Sequence, residues 1–138
     1  MLGAHYLKTW SSSQKTIALS SGEAELIALV KMSSEVLGIL NMLTEWGIQP
    51  GARVYVDSSA ALGVVHRKGS GKLRHIRVNM LWVQDKRASG ELDYEKIEGT
   101  DNPGDLMTKH LGSGLMKNHL ENLTLEVRGG RAKESLTV

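Results

Sequence analysis

The amino-acid sequence predicts a mixed α/β domain, because strand-like and helix-like segments alternate along it. The clearest helical segment is 20–46, where apolar residues recur at helical spacing. The clearest strand is the short apolar run ARVYVD at 52–57. The chain has 138 residues, which suits one domain, and an aromatic content of 4% without Phe predicts a largely aliphatic core.

The long helix has sequence signals at both ends. Ser20 or Ser21 is a suitable N-cap, and acidic Glu23 in the first turn favours the helix dipole. Gly47 and the following Pro-Gly pair end the helix. One apolar stripe is predicted to face the rest of the domain: Leu29, Met32, Val36, Leu40 and Leu43.

The other elements are shorter. We predict strand-like pieces at 4–11 and 15–20, a short helix after 57, a basic loop at 67–72, a helix at 73–87, a strand at 91–99 and a helix at 102–111. Asn102 is the expected N-cap of that last helix, with Pro103 at its first position. One more helix in GLMKNHLENL and a disordered tail, RGGRAKESLTV, complete the prediction.

The composition excludes several function classes. Without cysteine there is neither a disulfide nor a thiolate metal site. No apolar run approaches the roughly 18 residues that a membrane span needs, and the first residues do not resemble a signal peptide, so a soluble intracellular protein is expected. The net charge of +2 and pI near 8.9 permit nucleic-acid binding without arguing strongly for it.

Three carboxylates stand at the ends of predicted elements. Glu25 precedes Leu29 by four residues and is expected on the apolar face, where a carboxylate needs a partner or a metal. The alternative is an exposed first-turn Glu that favours the helix dipole. Glu23 is expected to point elsewhere, since two residues turn a helix by about 200°.

The other two carboxylates also allow two interpretations. Asp57 ends a strand, where sites in α/β proteins gather, but it is equally suited to cap the next helix. Asp105, at the third position of its helix, also fits a capping box in which Asp replaces the usual Glu. Taken together with Glu25, the set fits a cluster for hard divalent ions such as Mg²⁺, which prefers oxygen ligands.

Four segments resemble one known family. TWSSSQKTIALSSGEAELIAL is similar to SWSS(K/R)KQ…VALSSTEAEYxAL, YVDSSAALGVV to (I/C)DN(K/Q)SAIxL, LRHIRVNMLWVQDK to (T)KHIDIxxHFVRE, and GTDNPGDLMTKHL to TxDQLADIFTKPL. These blocks come in the order of the ribonuclease H domain of copia-type retrotransposon Pol polyproteins and cover roughly residues 8–111.

The resemblance implies a ribonuclease H-like fold, a mixed sheet with flanking helices, and cleavage of the RNA strand of RNA–DNA hybrids during reverse transcription. It implies two Mg²⁺ (or Mn²⁺) ions held by four carboxylates. Three of these match Glu25, Asp57 and Asp105 by position in the motifs. The partners implied are the hybrid and the reverse transcriptase portion of the parent polyprotein, with no membrane. The expected location is a cytoplasmic retroelement particle, with the nucleus as an alternative, and no targeting signal is seen.

The sequence departs from the family pattern in three places, of which the first bears on activity. The first strand, which carries the fourth carboxylate, and most of the second are expected upstream of Met1. The predicted organisation is therefore a partial ribonuclease H-like domain at 1–112 and a C-terminal extension at 113–138. The basic loop is also longer than the family's link, and the usual KPL is KHL at 109–111.

Two functions from different classes follow. One is a hybrid-cleaving nuclease, inactive as this fragment, so that enzyme status stays open. The other is a non-catalytic remnant that binds nucleic acid or a polymerase. Either would use phosphate contacts, which give sequence-independent affinity. The candidates lie in or just after the basic loop, where a solvated charged face is an equal alternative: Arg67, Lys68, Lys72 and Arg74.

Overall fold

The computed structural model describes residues 1–3, 5–69, 71 and 80–126, and it divides the chain into two compact units. The larger unit is Ser12–Gly99. The smaller unit combines Met1–Ser11 with Thr100–Val138.

The described residues form a mixed α/β structure, as predicted. The larger unit contains helix α1 (Ser21–Glu45), strand β1 (Arg53–Val56), helix α2 (Ser59–His66), helix α3 (Trp82–Ala88) and strand β2 (Asp93–Lys96). Short 3₁₀ helices follow at Gly99–Asp101 and Pro103–Met107, and helix α4 (Ser113–Asn122) lies in the smaller unit.

The two described strands pair in parallel, with Val54 opposite Tyr94 and Val56 opposite Lys96. A parallel pair needs a long crossover, and α2 and α3 lie in this connection. Val54, Val56 and Tyr94 point into the core of the larger unit, which is otherwise aliphatic. The strands predicted at 52–57 and 91–99 are therefore confirmed, although each is shorter than predicted.

Helix α1 begins and ends where the sequence predicted. Ser20 is the N-cap, and its hydroxyl accepts a hydrogen bond from the Glu23 amide at 3.2 Å. At the other end Gly47 has a φ of +78°, and the amide of Ile48 donates to the carbonyl of Leu43 at 2.9 Å. This is the Schellman arrangement, which satisfies carbonyls that the helix leaves unpaired.

The buried face of α1 largely matches the predicted stripe. Leu29 and Leu43 are buried, and Val36 and Leu40 pack against the core as partly buried residues. Met32 is the exception, at 38% exposed. The buried face also includes Leu26 and Ser33, so it is wider than the predicted stripe.

The predicted strand-like pieces at 4–11 and 15–20 do not form. The described residues of these ranges contain one isolated bridge, between Leu2 and His5, and Ile17 is 88% exposed. Strands need neighbours for their N–H and C=O groups, and the described sheet consists of β1 and β2.

The predicted helix at 102–111 is a 3₁₀ helix, Pro103–Met107. Asn102 is its N-cap, as predicted, and its side-chain oxygen accepts from the Gly104 amide at 3.0 Å. Gly104 within the first turn disfavours propagation as an α-helix. The helix expected in GLMKNHLENL is confirmed as α4. The first half of the predicted helix 73–87 and the tail from 127 lie outside the described residues.

Helix α1 has the length and hydropathy of a membrane-spanning helix, contrary to the expectation from the sequence. Core helices of folded domains pass the same test. Leu26 and Ser33 on this helix are fully buried, and Ser33 contacts Tyr94 of the sheet through a 2.9 Å hydrogen bond. These contacts lie on one face of α1, and 22% of its most apolar 18-residue window is buried.

Candidate functional site

The first turns of α1 and α2 lie directly against each other. A Cβ atom placed on Gly22 would be 3.0 Å from the Cβ of Ala60, a separation tighter than ordinary contact. Glycine at position 22 therefore allows the two helices to approach. Glu25 lies one turn after Gly22, and Asp57 lies three residues before Ala60. The structure thus places two of the three predicted carboxylates in the same region of the larger unit.

Glu25 is exposed, and the expectation that it lies on the buried face of α1 was wrong. The buried carboxylate is that of Glu23, which is 7% exposed. It accepts a hydrogen bond from the Leu19 amide at 2.8 Å. Together with the Ser20 hydroxyl it forms a variant of the capping box, in which the Glu side chain bonds to the residue before the N-cap and is turned inward. Burial of Glu23 therefore has a structural cause.

Asp57 directly follows β1 and is half-buried. The alternative role considered for it, capping α2, belongs to its neighbour, because the Ser58 hydroxyl accepts from the Ala61 amide at 3.2 Å. The ammonium group of Lys96, at the end of β2, donates to the backbone carbonyl of Asp57. A cation therefore lies beside the strand end that carries this carboxylate.

Asp105 lies in the smaller unit and is 8% exposed. Both of its carboxylate oxygens are 2.9 Å from the ammonium of Lys109, one helical turn further along the chain. A buried carboxylate needs such a partner, and a charge-assisted contact to both oxygens supplies it. In this chain the partner of Asp105 is a lysine of the KHL segment.

The three carboxylates have oxygen donors of the kind that Mg²⁺ prefers. Within the described residues, however, no three His, Cys, Asp or Glu side chains are grouped so that they could hold a metal ion. The donor chemistry thus suits the ion and the observed arrangement does not. The metal site stays a prediction, and no catalytic step through a metal is derived for this chain.

The basic loop is described in part. Lys68 is exposed, and Arg67 is half-buried with its guanidinium folded over Gly71. Lys72 and Arg74 lie outside the described residues. Among the described candidates for nucleic-acid contact, Lys68 has the exposed side chain and is accessible to a phosphate.

Sequence reasoning missed the residue that holds this loop. The side-chain amide of Gln84 on α3 contacts the backbone of Gly69 and of Val64. The hydrogen-bond partners of a single Gln in a helical segment cannot be predicted from the sequence, because they depend on tertiary packing. Sequence reasoning also missed the pairing of Lys109 with Asp105, although their spacing of four residues is that of helical ion pairs.

Comparison with known proteins adds a distant relationship. No protein-family model and no solved structure matches the chain. A retrovirus-related Pol polyprotein from transposon TNT 1-94 of Nicotiana tabacum is 34% identical over 106 residues, which is 73% of this chain. Retrovirus-related Pol polyproteins from transposons RE2 and RE1 of Arabidopsis thaliana are each 29% identical, over 120 and 121 residues and 85% of this chain.

The chain spans 8% of the length of each of these relatives, so the similarity concerns a small part of a long polyprotein. The predicted resemblance to Pol polyproteins is confirmed. The assignment to the ribonuclease H domain of such a polyprotein stays a prediction. The chain is distantly similar to the Pol polyproteins of copia-type retrotransposons.

Proposed function

We propose that the chain is part of the ribonuclease H domain of a copia-type retroelement polyprotein, and that the intact domain cleaves the RNA strand of RNA–DNA hybrids. The observation that supports this proposal is the close approach of α1 and α2 at Gly22 and Ala60, since Glu25 follows Gly22 by three residues and Asp57 precedes Ala60 by three. Carboxylates at the carboxyl end of a parallel strand are typical of α/β active sites. The similarity to Pol polyproteins supports the wider assignment.

The proposed catalytic and metal-binding residues are Glu25, Asp57 and Asp105, with Mg²⁺ or Mn²⁺ as cofactor. When bound, two such ions supply activation of water and stabilisation of the leaving oxygen in phosphodiester cleavage. The contribution of the chain itself is to hold carboxylates at fixed element ends. Asp57 is placed by β1, and Glu25 by the cap at Ser20.

We further propose that the chain is inactive by itself. The family pattern assigns one more carboxylate to a strand upstream of the residues in this sequence. If the remaining strands closed over its place, Asp57 would shift by about one strand spacing, near 4.8 Å. A working site tolerates a displacement of only about 0.5 Å.

A non-catalytic role is the second candidate. The pairing of Asp105 with Lys109 favours it, as does the exposed Lys68 of the basic loop. In this role the chain would hold a hybrid, or the reverse transcriptase portion of the polyprotein, without cutting. The proposed location is a cytoplasmic retroelement particle, with the nucleus as the alternative. The proposed nucleic-acid contacts are Arg67, Lys68, Lys72 and Arg74.

The proposed inactivity and the proposed hybrid binding are tested by one experiment on the chain itself. The purified protein is mixed with an end-labelled RNA–DNA hybrid in Mg²⁺ or Mn²⁺, and cleavage and binding are followed together. We expect binding that weakens steeply with salt, because phosphate contacts release counterions, and no cleavage. Cleavage that disappears in Asp57→Asn would disprove the proposed inactivity. Failure to bind the hybrid even at low salt would remove the binding role.

A further inference from the structure

Gln84 joins three backbone groups through one side-chain amide. Its Oε1 accepts from the Gly69 amide at 2.9 Å, and its Nε2 donates to the Gly69 carbonyl at 3.0 Å. Nε2 also donates to the Val64 carbonyl at 2.7 Å. Val64 lies in the last turn of α2, where carbonyls lack helical partners. Gln84 therefore connects α3, the end of α2 and the basic loop.

The backbone conformation of the loop suits this contact. Gly69 has a φ of +73°, a conformation that glycine adopts without strain. Gly71 has a φ of +57°, and a Cβ there would lie 2.8 Å from the Cζ atom of Arg67. The loop thus curls over the Arg67 guanidinium. Lys68, between the two contacts, is left exposed.

We infer that Gln84 is a positioning residue for nucleic-acid binding, which holds the basic loop so that Lys68 meets a backbone phosphate. The inference rests on the proposed function, since it names how the proposed hybrid-binding surface is built. A lysine on a mobile loop loses conformational entropy when it binds. Because Gln84 already fixes the loop at both backbone groups of Gly69, less conformational entropy remains to be lost when Lys68 binds a phosphate. Gln84 acts through Lys68 and does not itself contact the ligand.

The test is a double-mutant cycle on the full chain. Binding of a fluorescein-labelled RNA–DNA hybrid is measured by anisotropy over a range of salt for wild type, Gln84→Met, Lys68→Ala and the double variant. Methionine keeps the length of the side chain and removes its hydrogen bonds. Gln49→Met and Lys15→Ala are matched controls, because both residues are exposed in the same unit and lie outside the loop.

A second loop variant guards against misfolding of Gln84→Met. A Cβ at Gly69 would meet nothing within 4 Å, so Gly69→Ala strains the backbone of the loop without a clash and without altering α3. Circular dichroism and thermal melting of every variant report whether the fold is kept. Gly69→Ala is expected to weaken binding in the same way as Gln84→Met.

Lys68→Ala is expected to reduce the slope of log affinity against log salt by about 1, the value for one phosphate contact. Gln84→Met should reduce the slope similarly, and the double variant should be no weaker than either single variant. Independent, additive losses would overturn the inference, as would unchanged binding in folded Gln84→Met and Gly69→Ala. In those cases the wild type still binds hybrid and the proposed function stands. Wild type that binds no hybrid overturns both.

Discussion

The hydroxyl of Tyr94 donates a hydrogen bond to the hydroxyl of Ser33, over 2.9 Å in the core of the larger unit. The direction follows from the partners, because Ser33 has one hydroxyl proton and donates it to the Leu29 carbonyl at 2.8 Å. Tyr94 is 2% exposed and Ser33 is fully buried. The bond therefore connects β2 to the middle of α1 without access to water.

Substitution of Ser33 or of Tyr94 should show which hydroxyl donates in this hydrogen bond. Ser33→Ala leaves the Tyr94 hydroxyl buried without an acceptor, and we expect it to lower the free energy of unfolding by about 1–3 kcal/mol. Tyr94→Phe leaves Ser33 bonded to Leu29, so we expect a smaller loss of about 1 kcal/mol. Urea denaturation of both variants measures the difference. A larger loss in Tyr94→Phe than in Ser33→Ala would contradict the assignment.

The same tyrosine predicts a pH dependence. Burial raises the pKa of Tyr94. Tyrosine in the unfolded chain ionises near pH 10, before the folded one does. The stabilising contribution of Tyr94 is therefore complete below about pH 10 and is lost as the pH rises through the higher pKa of the folded state.

Denaturation between neutral and strongly alkaline pH tests this expectation. Tyr94→Phe should flatten the alkaline decline in the free energy of unfolding. Tyr55→Phe is the matched control, since Tyr55 is 54% exposed on the opposite face of β1. An alkaline decline that is the same in wild type and Tyr94→Phe would show that Tyr94 does not ionise differently in the two states.

Thr124, directly after the C-cap of α4, has a backbone conformation that is unfavourable for a threonine. Thr124 has a φ of +57°, and the amide of the next residue, Leu125, donates to the Leu120 carbonyl at 2.9 Å. The position after the helix cap favours glycine, and a β-branched residue there is strained. We expect Thr124→Gly to raise the free energy of unfolding by about 1 kcal/mol, and Thr124→Ala to raise it less. A lower melting temperature for Thr124→Gly would contradict the expectation.

His119 on α4 should also be replaceable with a gain in stability. It is 1% exposed, and neither ring nitrogen has a hydrogen-bond partner in the described part of the chain. A buried polar group without a partner costs about 1–3 kcal/mol, and an apolar side chain of similar size avoids that cost. We expect His119→Leu to melt at a higher temperature than wild type. His110→Leu, at an exposed position, should change the melting temperature little.

The sequence predicted the described helices and strands well where local signals determine them. Ser20 and Gly47 bound α1, and Asn102 caps its short helix, because caps depend on neighbouring residues. The face of α1 was largely predicted, since Leu29 and Leu43 are buried, whereas Glu25 in the first turn is exposed. The strand-like pieces failed because a strand depends on partners that lie far along the chain.

The candidate site was predictable in its residue types and not in its contacts. Asp57 stands directly after β1, as its sequence position indicated. The contact of Gln84 with Gly69 depends on tertiary geometry that motif spacing does not encode, whereas the spacing of Asp105 and Lys109 was a usable signal. Both contacts bear on the proposals, because Gln84 holds the loop proposed to bind nucleic acid and Lys109 pairs with a proposed metal ligand.

The central claim is that Glu25, Asp57 and Asp105 act together in an intact hybrid-cleaving domain. The direct measurement is cleavage of a labelled RNA–DNA hybrid, in Mg²⁺, by a protein extended with the sequence encoded upstream of Met1. We predict cleavage by the extended protein, and a loss of about 100-fold or more in each of Glu25→Gln, Asp57→Asn and Asp105→Asn. Asp93→Asn, an exposed carboxylate at the opposite end of the paired strands from Asp57, should retain activity. Full activity in the extended Asp57→Asn protein would contradict the claim.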